Sequence, residues 1–259
     1  IFDGVPTMYM FMLNSPNLKI SDLSSLKRCY VGGQTMPVAT MTEVEKEFKV
    51  PLIELWGMTE IAGLGTTFPL FGPNKHGSIG CAIPYCELRI ADVNDCSKQM
   101  KEGEVGELMV KGPITMMGYF GDKEKTLETL EPDGWLHSGD LAKMDNDGCV
   151  YIVDRKKDMI ITGGFNVYPA EIERVLAANP KVALAAVGKQ VDELKGEIAK
   201  AYIVLKAGED ATEEEMISFC REELAAYKCP RKVQFVMDVP KTSTGKIMRR
   251  ELSTLDHLE

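Results

Sequence analysis

The chain has 259 residues, 44% of them hydrophobic and 27% charged, which is enough for a substantial core. Those proportions exclude a disordered chain and a disulfide-stapled miniprotein. Thirty Lys and Arg against 39 Asp and Glu leave a net charge of −9, which argues against wholesale nucleic-acid binding.

No run approaches the ~18 apolar residues of a membrane helix, and no basic-then-apolar signal segment is seen. The seven cysteines are scattered without a CxxC pair, and the three histidines show no zinc spacing. A soluble, cytoplasmic protein with reduced thiols is the expectation. The charge is uneven: residues 1–155 carry 14 basic and 22 acidic side chains, and residues 156–259 carry 16 and 17. Residues 228–250 hold seven basic residues and one acid, Asp238, so a local anionic ligand is expected there.

In chain order, residues 5–13 suit a short helix with Pro6 in its first turn. A short apolar strand at 29–31 precedes Gly32-Gly33-Gln34-Thr35, and helical spacing runs over 38–48. A second buried-looking strand, 52–55, leads into Trp56-Gly57-Met58-Thr59-Glu60. Strand, loop, helix, strand, loop is the grammar of an open α/β sheet, where ligands collect at the carboxyl ends of strands. From about residue 72 the texture changes to short β runs (87–90, 106–111, 149–153) broken by Gly, Pro and Asp, with one helix at 123–130. That predicts a small barrel or distorted sheet. After Asp154-Arg155-Lys156-Lys157-Asp158 come a helix near 170–178, strands at 182–187 and 199–205, a helix at 213–227 and a strand at 233–236.

The fold expected is therefore α/β: an open α/β sheet (1–71), a β-barrel-like part (72–155) and a compact α+β domain (156–259).

Three loops carry chemistry. The Trp56–Glu60 loop offers an aromatic plane, a glycine for close backbone approach, a hydroxyl and a carboxylate. Those groups can stack a base, bond a phosphate and hold a hard cation, or simply form a strand-end turn around a core Trp. Gly134-Trp135-Leu136-His137-Ser138-Gly139-Asp140 places a carboxylate beside glycine. Such an Asp can accept from a ribose, or it can stabilise its own turn. In Pro240-Lys241-Thr242-Ser243-Thr244-Gly245-Lys246 a polar loop presents an ammonium. A lysine there suits developing negative charge, although charge alone also fits a solvated basic tail. Cys81, Cys86 and Cys149 read as core residues, and Met8, Met10 and Met12 as helix packing rather than an acyl channel.

In this order the motifs resemble the adenylate-forming superfamily: acyl-CoA synthetases, peptide-synthetase adenylation domains and luciferases. The matching segments are Gly4–Met8, Trp56–Glu60, Gly106-Glu107-Leu108 with Gly118-Tyr119, Trp135 with Gly139-Asp140, Asp154–Asp158 with Gly163-Gly164 and Glu171-Ile172-Glu173, and Pro240–Lys246. The resemblance implies that Trp56 flanks adenine, with Gly33, Gln34 and Thr35 as pocket floor and Gly57 among the cofactor-binding residues. It implies Thr59 at the α-phosphate, Glu60 on Mg²⁺, and Asp140 and Arg155 on the ribose. Lys246 would bridge acyl carboxylate and phosphate, Lys157 would be the hinge of a mobile C-terminal domain, and Gly163 and Gly164 would line the tunnel for coenzyme A.

The segments 154–160 and 164–169 look most like fatty-acyl-CoA ligases. The chain departs from the family at Ile161 and Thr162, where some members carry lysines, and at Gly188–Asp192, a departure expected to alter only a loop. The implied activity is ATP-dependent conversion of a small-molecule carboxylic acid, a fatty acid, through acyl-adenylate to a CoA thioester. A carrier-protein thiol acceptor and a non-catalytic nucleotide- or CoA-binding chain are the alternatives. The chain opens on Ile1 and lacks the family's phosphate loop. It is therefore expected to be the C-terminal half of a longer enzyme, inactive without its N-terminal half.

Overall fold

The computed structural model describes every residue except Leu70, Phe71, Pro73, Ser243, Thr244, Leu258 and Glu259, and all side chains but that of His257 among the rest. Ser243 and Thr244 of the Pro240–Lys246 motif thus lie outside the described residues. The chain divides into two compact units, Ile1–Ile152 and Val153–Glu259.

The first unit opens with β1 (Phe2–Gly4), α1 (Pro6–Leu13), β2 (Cys29–Val31), α2 (Val38–Phe48) and β3 (Leu52–Glu54). The three strands pair in parallel in the order β1-β2-β3. Parallel pairing demands crossovers, which α1 and α2 supply. On α2, Met41, Val44 and Phe48 recur at helical spacing and are buried, while Thr42, Glu43 and Glu47 face solvent. They close over Tyr9, Cys29, Val31 and Leu52. Helix α1 is apolar on all sides but has one inner face, which Tyr9 takes. Met12 packs on the core as expected, whereas Met8 and Met10 are exposed, so the packing expectation holds for one methionine of three.

The β-rich stretch contains β4 (Thr66–Thr67) paired with β5 (Cys81–Ala82), then β6 (Glu87–Ala91), β7 (Gly106–Lys111), α3 (Lys123–Thr129), β8 (Leu136–Met144) and β9 (Val150–Arg155). Strands β6 to β9 form a four-stranded sheet in sequence order. Strand β8 corrects the reading of 134–140 as a loop. His137, Ser138 and Gly139 are weak strand formers, yet alternation buries Leu136, Ser138 and Asp140. Burial is tolerated because the Ser138 hydroxyl donates to Leu108 O at 2.6 Å.

The second unit holds β10 (Ile160–Thr162), β11 (Phe165–Val167), α4 (Pro169–Ala177), β12 (Val182–Asp192), β13 (Gly196–Leu205), α5 (Glu213–Glu223) and β14 (Lys232–Phe235). Its sheet runs β11-β10-β13-β12, with β14 added parallel to β13. Ala199, Ala201 and Ile203 face a core shared with Ile172, Leu176, Met216 and Cys220 of the two helices. On the opposite face Tyr202 packs with Val239, Ile247 and Leu252 of the C-terminal segment. Residues 188–192, expected to be a loop, continue β12 as far as the pair Asp192↔Gly196. The reversal falls instead at 193–195, where Asp192 Oδ1 accepts from the amides of Leu194 and Lys195. Thr212 caps α5 by accepting from Glu215 N, which accounts for the Glu213–Glu215 run at a helix N-terminus.

Candidate functional site

Two loops leave the carboxyl ends of the neighbouring parallel strands β2 and β3. Gly33, Gln34 and Thr35 follow β2, and Trp56 to Glu60 follow β3. A side chain on Gly32 would meet Leu55 O at 3.1 Å, so the two strand ends lie tightly together. Gly33 sits at φ +81, a conformation glycine adopts without steric cost. At Gly57 the constraint is contact rather than dihedral: a Cβ would lie 1.7 Å from Gly63 O. The Trp56–Gly65 loop closes on itself through Gly65 N and Thr66 N, both donating to Trp56 O.

Trp56 is joined to Asp140, 84 residues away, by an indole N–H bond to Oδ2 at 2.8 Å. Asp140 is 5% exposed and its own amide donates to Ser138 Oγ. The remainder of the indole packs with apolar residues of the four-stranded sheet, among them Ile90, Leu108 and Val110. The core-Trp and ligand-facing readings are thus not exclusive: the ring is half-buried, with its nitrogen committed to the carboxylate.

Thr59 is exposed and opens a single 3-10 turn, Thr59–Ile61. Glu60 Oε1 accepts from the Tyr119 hydroxyl at 2.8 Å, and the main chain of Glu60 is held by Met116 N. Burial, then the bond to Glu60, pushes the Tyr119 phenol above its ordinary range, so it remains a donor.

Sequence reasoning missed Glu54. It stands at the end of β3, only 2% exposed, with no hydrogen-bond partner for Oε2 among the described residues. Burial raises its carboxyl from the ordinary 4.5 to about 7, opposed by a bond from the Met36 amide. That bond ties the Gly33–Met36 loop to β3. An acid within the otherwise apolar run 52–55 was the available signal.

The other expected site residues lie in the second unit. Arg155 is exposed at the end of β9, and Lys157 is exposed within the 3-10 turn Lys156–Asp158. Gly163 (φ +56) and Gly164 (φ +85) form the two-residue turn between β10 and β11, where positive φ at both positions favours glycine. Lys246 is exposed on a tight hairpin: Lys241 bridges Ile247, Thr242 N donates to Lys246 O, and Lys246 N donates to Thr242 Oγ1.

Three residues further on, Arg249 makes a two-pronged bond to Glu173, with Nη2 to Oε2 at 2.6 Å and Nε to Oε1 at 3.1 Å. It also approaches Asp158 at 3.5 Å and Asp154 at 3.6 Å. Asp154 is nearly inaccessible. Burial raises its carboxyl, while Arg249 and the amides of Ala170 and Arg155 pull it back down. The Arg249 clamp was not foreseen, because its four members are dispersed over 96 positions.

Residues 1–120 match the family model described as AMP-binding enzyme, and residues 171–246 match AMP-binding enzyme C-terminal domain. The chain is 40% identical over 252 residues to a long-chain-fatty-acid–CoA ligase of Bacillus subtilis, covering 97% of this chain and 45% of the relative. To the enzyme of the same name from Yersinia pestis it is 41% identical over 249 residues, covering 96% and 44%. Among solved structures, ATP-bound MatB from Rhodopseudomonas palustris superposes with a TM-score of 0.88 at 33% identity, covering 99% of this chain and 51% of that one. The O-succinylbenzoate coenzyme A synthetase MenE of Bacillus subtilis, in complex with AMP, gives 0.81 at 34%, covering 96% and 50%. The chain therefore spans about half the length of the curated relatives it matches.

Proposed function

Because the chain belongs to the AMP-binding, adenylate-forming enzyme family, we propose that the protein bearing it is an ATP-dependent acid–CoA ligase acting on a long-chain fatty acid. The observation that carries the reading is the Trp56–Asp140 bond, which sets an aromatic face and a carboxylate side by side in the first unit. These are the two groups an adenosine needs, one for the base and one for ribose hydroxyls.

In this reading Gly33, Gln34, Thr35, Trp56 and Gly57 form the adenine pocket, and Thr59 contacts the α-phosphate. Asp140 and Arg155 hold the ribose. Glu60 is a hard oxygen donor whose carboxylate is oriented by Tyr119, a fit to Mg²⁺, which takes few carboxylates and keeps waters. Bound magnesium would supply positive charge against phosphate oxygens.

Joining a carboxylate to ATP brings two anions together, and Lys246 supplies the cation that offsets the growing charge. The carboxylate oxygen attacks the α-phosphorus, pyrophosphate leaves, and the acyl-adenylate results. A thiolate then attacks the acyl carbon and AMP leaves. In the first step Lys246 is needed; in the second it is not, and Lys157 is assigned as the hinge that lets one cavity serve both. Gly163 and Gly164 are assigned to the path of the pantetheine arm, where a side chain would narrow the passage.

The test is fatty-acid-dependent exchange of labelled pyrophosphate into ATP, followed by thioester formation with CoA or with a carrier protein. The proposal expects exchange with long-chain acids and thioester with CoA. Thioester on the carrier protein alone would move the protein to the other thiol class, and AMP binding without exchange would make it a nucleotide-binding protein.

A further inference from the structure

Cys96, Glu131 and His137 were singled out by no motif spacing, yet the fold draws them together. Glu131 Oε1 lies 2.9 Å from His137 Nε2 and 3.5 Å from Cys96 Sγ, and the three ligand atoms all lie within 4.8 Å of one another. The second imidazole nitrogen, Nδ1, is 3.0 Å from Oε2 of Glu107, a carboxylate only 2% exposed whose other oxygen accepts from Gly139 N at 3.3 Å. A buried carboxylate on the far nitrogen is the arrangement that orients a metal-binding histidine and fixes its tautomer.

We propose that Cys96, Glu131 and His137 form a binding site for a zinc-class divalent cation, with Glu107 as the carboxylate that orients His137. The donor set is one thiolate, one carboxylate and one imidazole, a mixture that selects zinc over magnesium or calcium, which take oxygen alone. Tetrahedral zinc, with bonds of about 2.0 Å to N and O and 2.3 Å to S, sets edges of about 3.3 Å for N···O and 3.5 Å for S···O. The observed S···O separation meets this and the N···O separation needs only a few tenths of an ångström more. All three residues are partly exposed, so water can complete the tetrahedron.

The supporting elements are ordered independently of any ion. Asp92 Oδ1 accepts from the amides of Asn94 and Asp95 at the turn that carries Cys96, and the Glu131 turn is closed by Glu131 N to Trp135 O. Arg89, stacked on Trp135, brings one positive charge near Cys96. Against it stand Glu107, Glu131 and the thiolate, with Asp95 and Asp133 also close enough to act on the cluster, so the surroundings are net anionic and favour a dication. The ion would join two turns to β8, on the strand face opposite Asp140.

The reduced 259-residue chain, titrated with Co²⁺ as a spectroscopic probe, tests this. One equivalent should give thiolate-to-cobalt charge transfer in the near ultraviolet and intense four-coordinate d–d bands, both abolished by one equivalent of Zn²⁺. Cys96→Ser should lose the charge-transfer band, Glu107→Gln should weaken binding by roughly 10–100-fold, and Cys81→Ser should behave as wild type. Excess Zn²⁺ should raise the melting temperature of wild type by several degrees and leave Cys96→Ser unmoved, which also shows whether that variant is folded. Absence of the charge-transfer band in wild type, or its persistence in Cys96→Ser, overturns the proposal.

Discussion

The residues of the first unit proposed to hold the nucleotide and the lysine hairpin of the second are built in opposite ways. Trp56, Asp140, Glu60 and Tyr119 are fixed by side-chain bonds spanning 84 and 59 residues, within half-buried or buried surroundings. Lys246 is exposed, and among the described residues its segment is joined by short-range bonds such as Thr242 N to Lys246 O and Lys246 N to Thr242 Oγ1. Its anchor comes afterwards, where Ile247 and Leu252 pack on the sheet and Arg249 reaches Glu173, Asp158 and Asp154. A pre-organised pocket suits a ligand that stays bound through a reaction. An exposed cation on a short hairpin suits a charge needed at one step only.

The contrast can be broken experimentally, beginning where the expected effect is largest. Lys246→Ala in the protein bearing both units should slow adenylation by roughly 10²–10³-fold, the usual loss for one transition-state donor, and leave thioester formation from added acyl-adenylate nearly unchanged. Equal loss in both half-reactions would remove the division of labour. Arg249→Met should cost about 2–4 kcal/mol in urea unfolding of the second unit, since it leaves Asp154 and Glu173 without their cation. A loss below ~0.5 kcal/mol would mean the clamp is no more than a surface pairing.

Glu54 gives a smaller effect that depends on pH. Its folded value, about 7, stands above the ordinary 4.5, so the folded chain holds that proton more tightly than the unfolded one. The associated stability is fully present below pH ~4.5 and is lost as pH rises through about 7, by roughly 1–3 kcal/mol. Glu54→Gln should flatten thermal stability between pH 5 and 8. An unchanged slope would place the titration elsewhere.

How far the sequence reaches follows from how each part is made. The parallel strands at 29–31 and 52–54 and helix 38–48 were readable because they are apolar runs with clear periodicity and glycine or proline punctuation. Strand 136–144 was not, because its buried positions include Ser138 and Asp140, and their inward orientation depends on partners such as Leu108 and Trp56 that sequence distance conceals. The glycine pair at 163–164 was read for its place beside a ligand, and the structure adds its role as a hairpin turn. Glu54, Arg249 and the Cys96–Glu131–His137 cluster share one property: each gains its meaning from groups far away along the chain. The candidate residues were found by motif, whereas the side chains that position them required the fold.

The Trp56–Asp140 pair is the foundation of the proposed adenosine site, and calorimetric titration of the 259-residue chain with AMP tests it directly. One saturable site per chain is predicted, weakened at least roughly tenfold by Asp140→Asn, which loses one charged hydrogen-bond acceptor worth about 1.5–3 kcal/mol. AMP binding that is absent, or identical in Asp140→Asn and wild type, would contradict it.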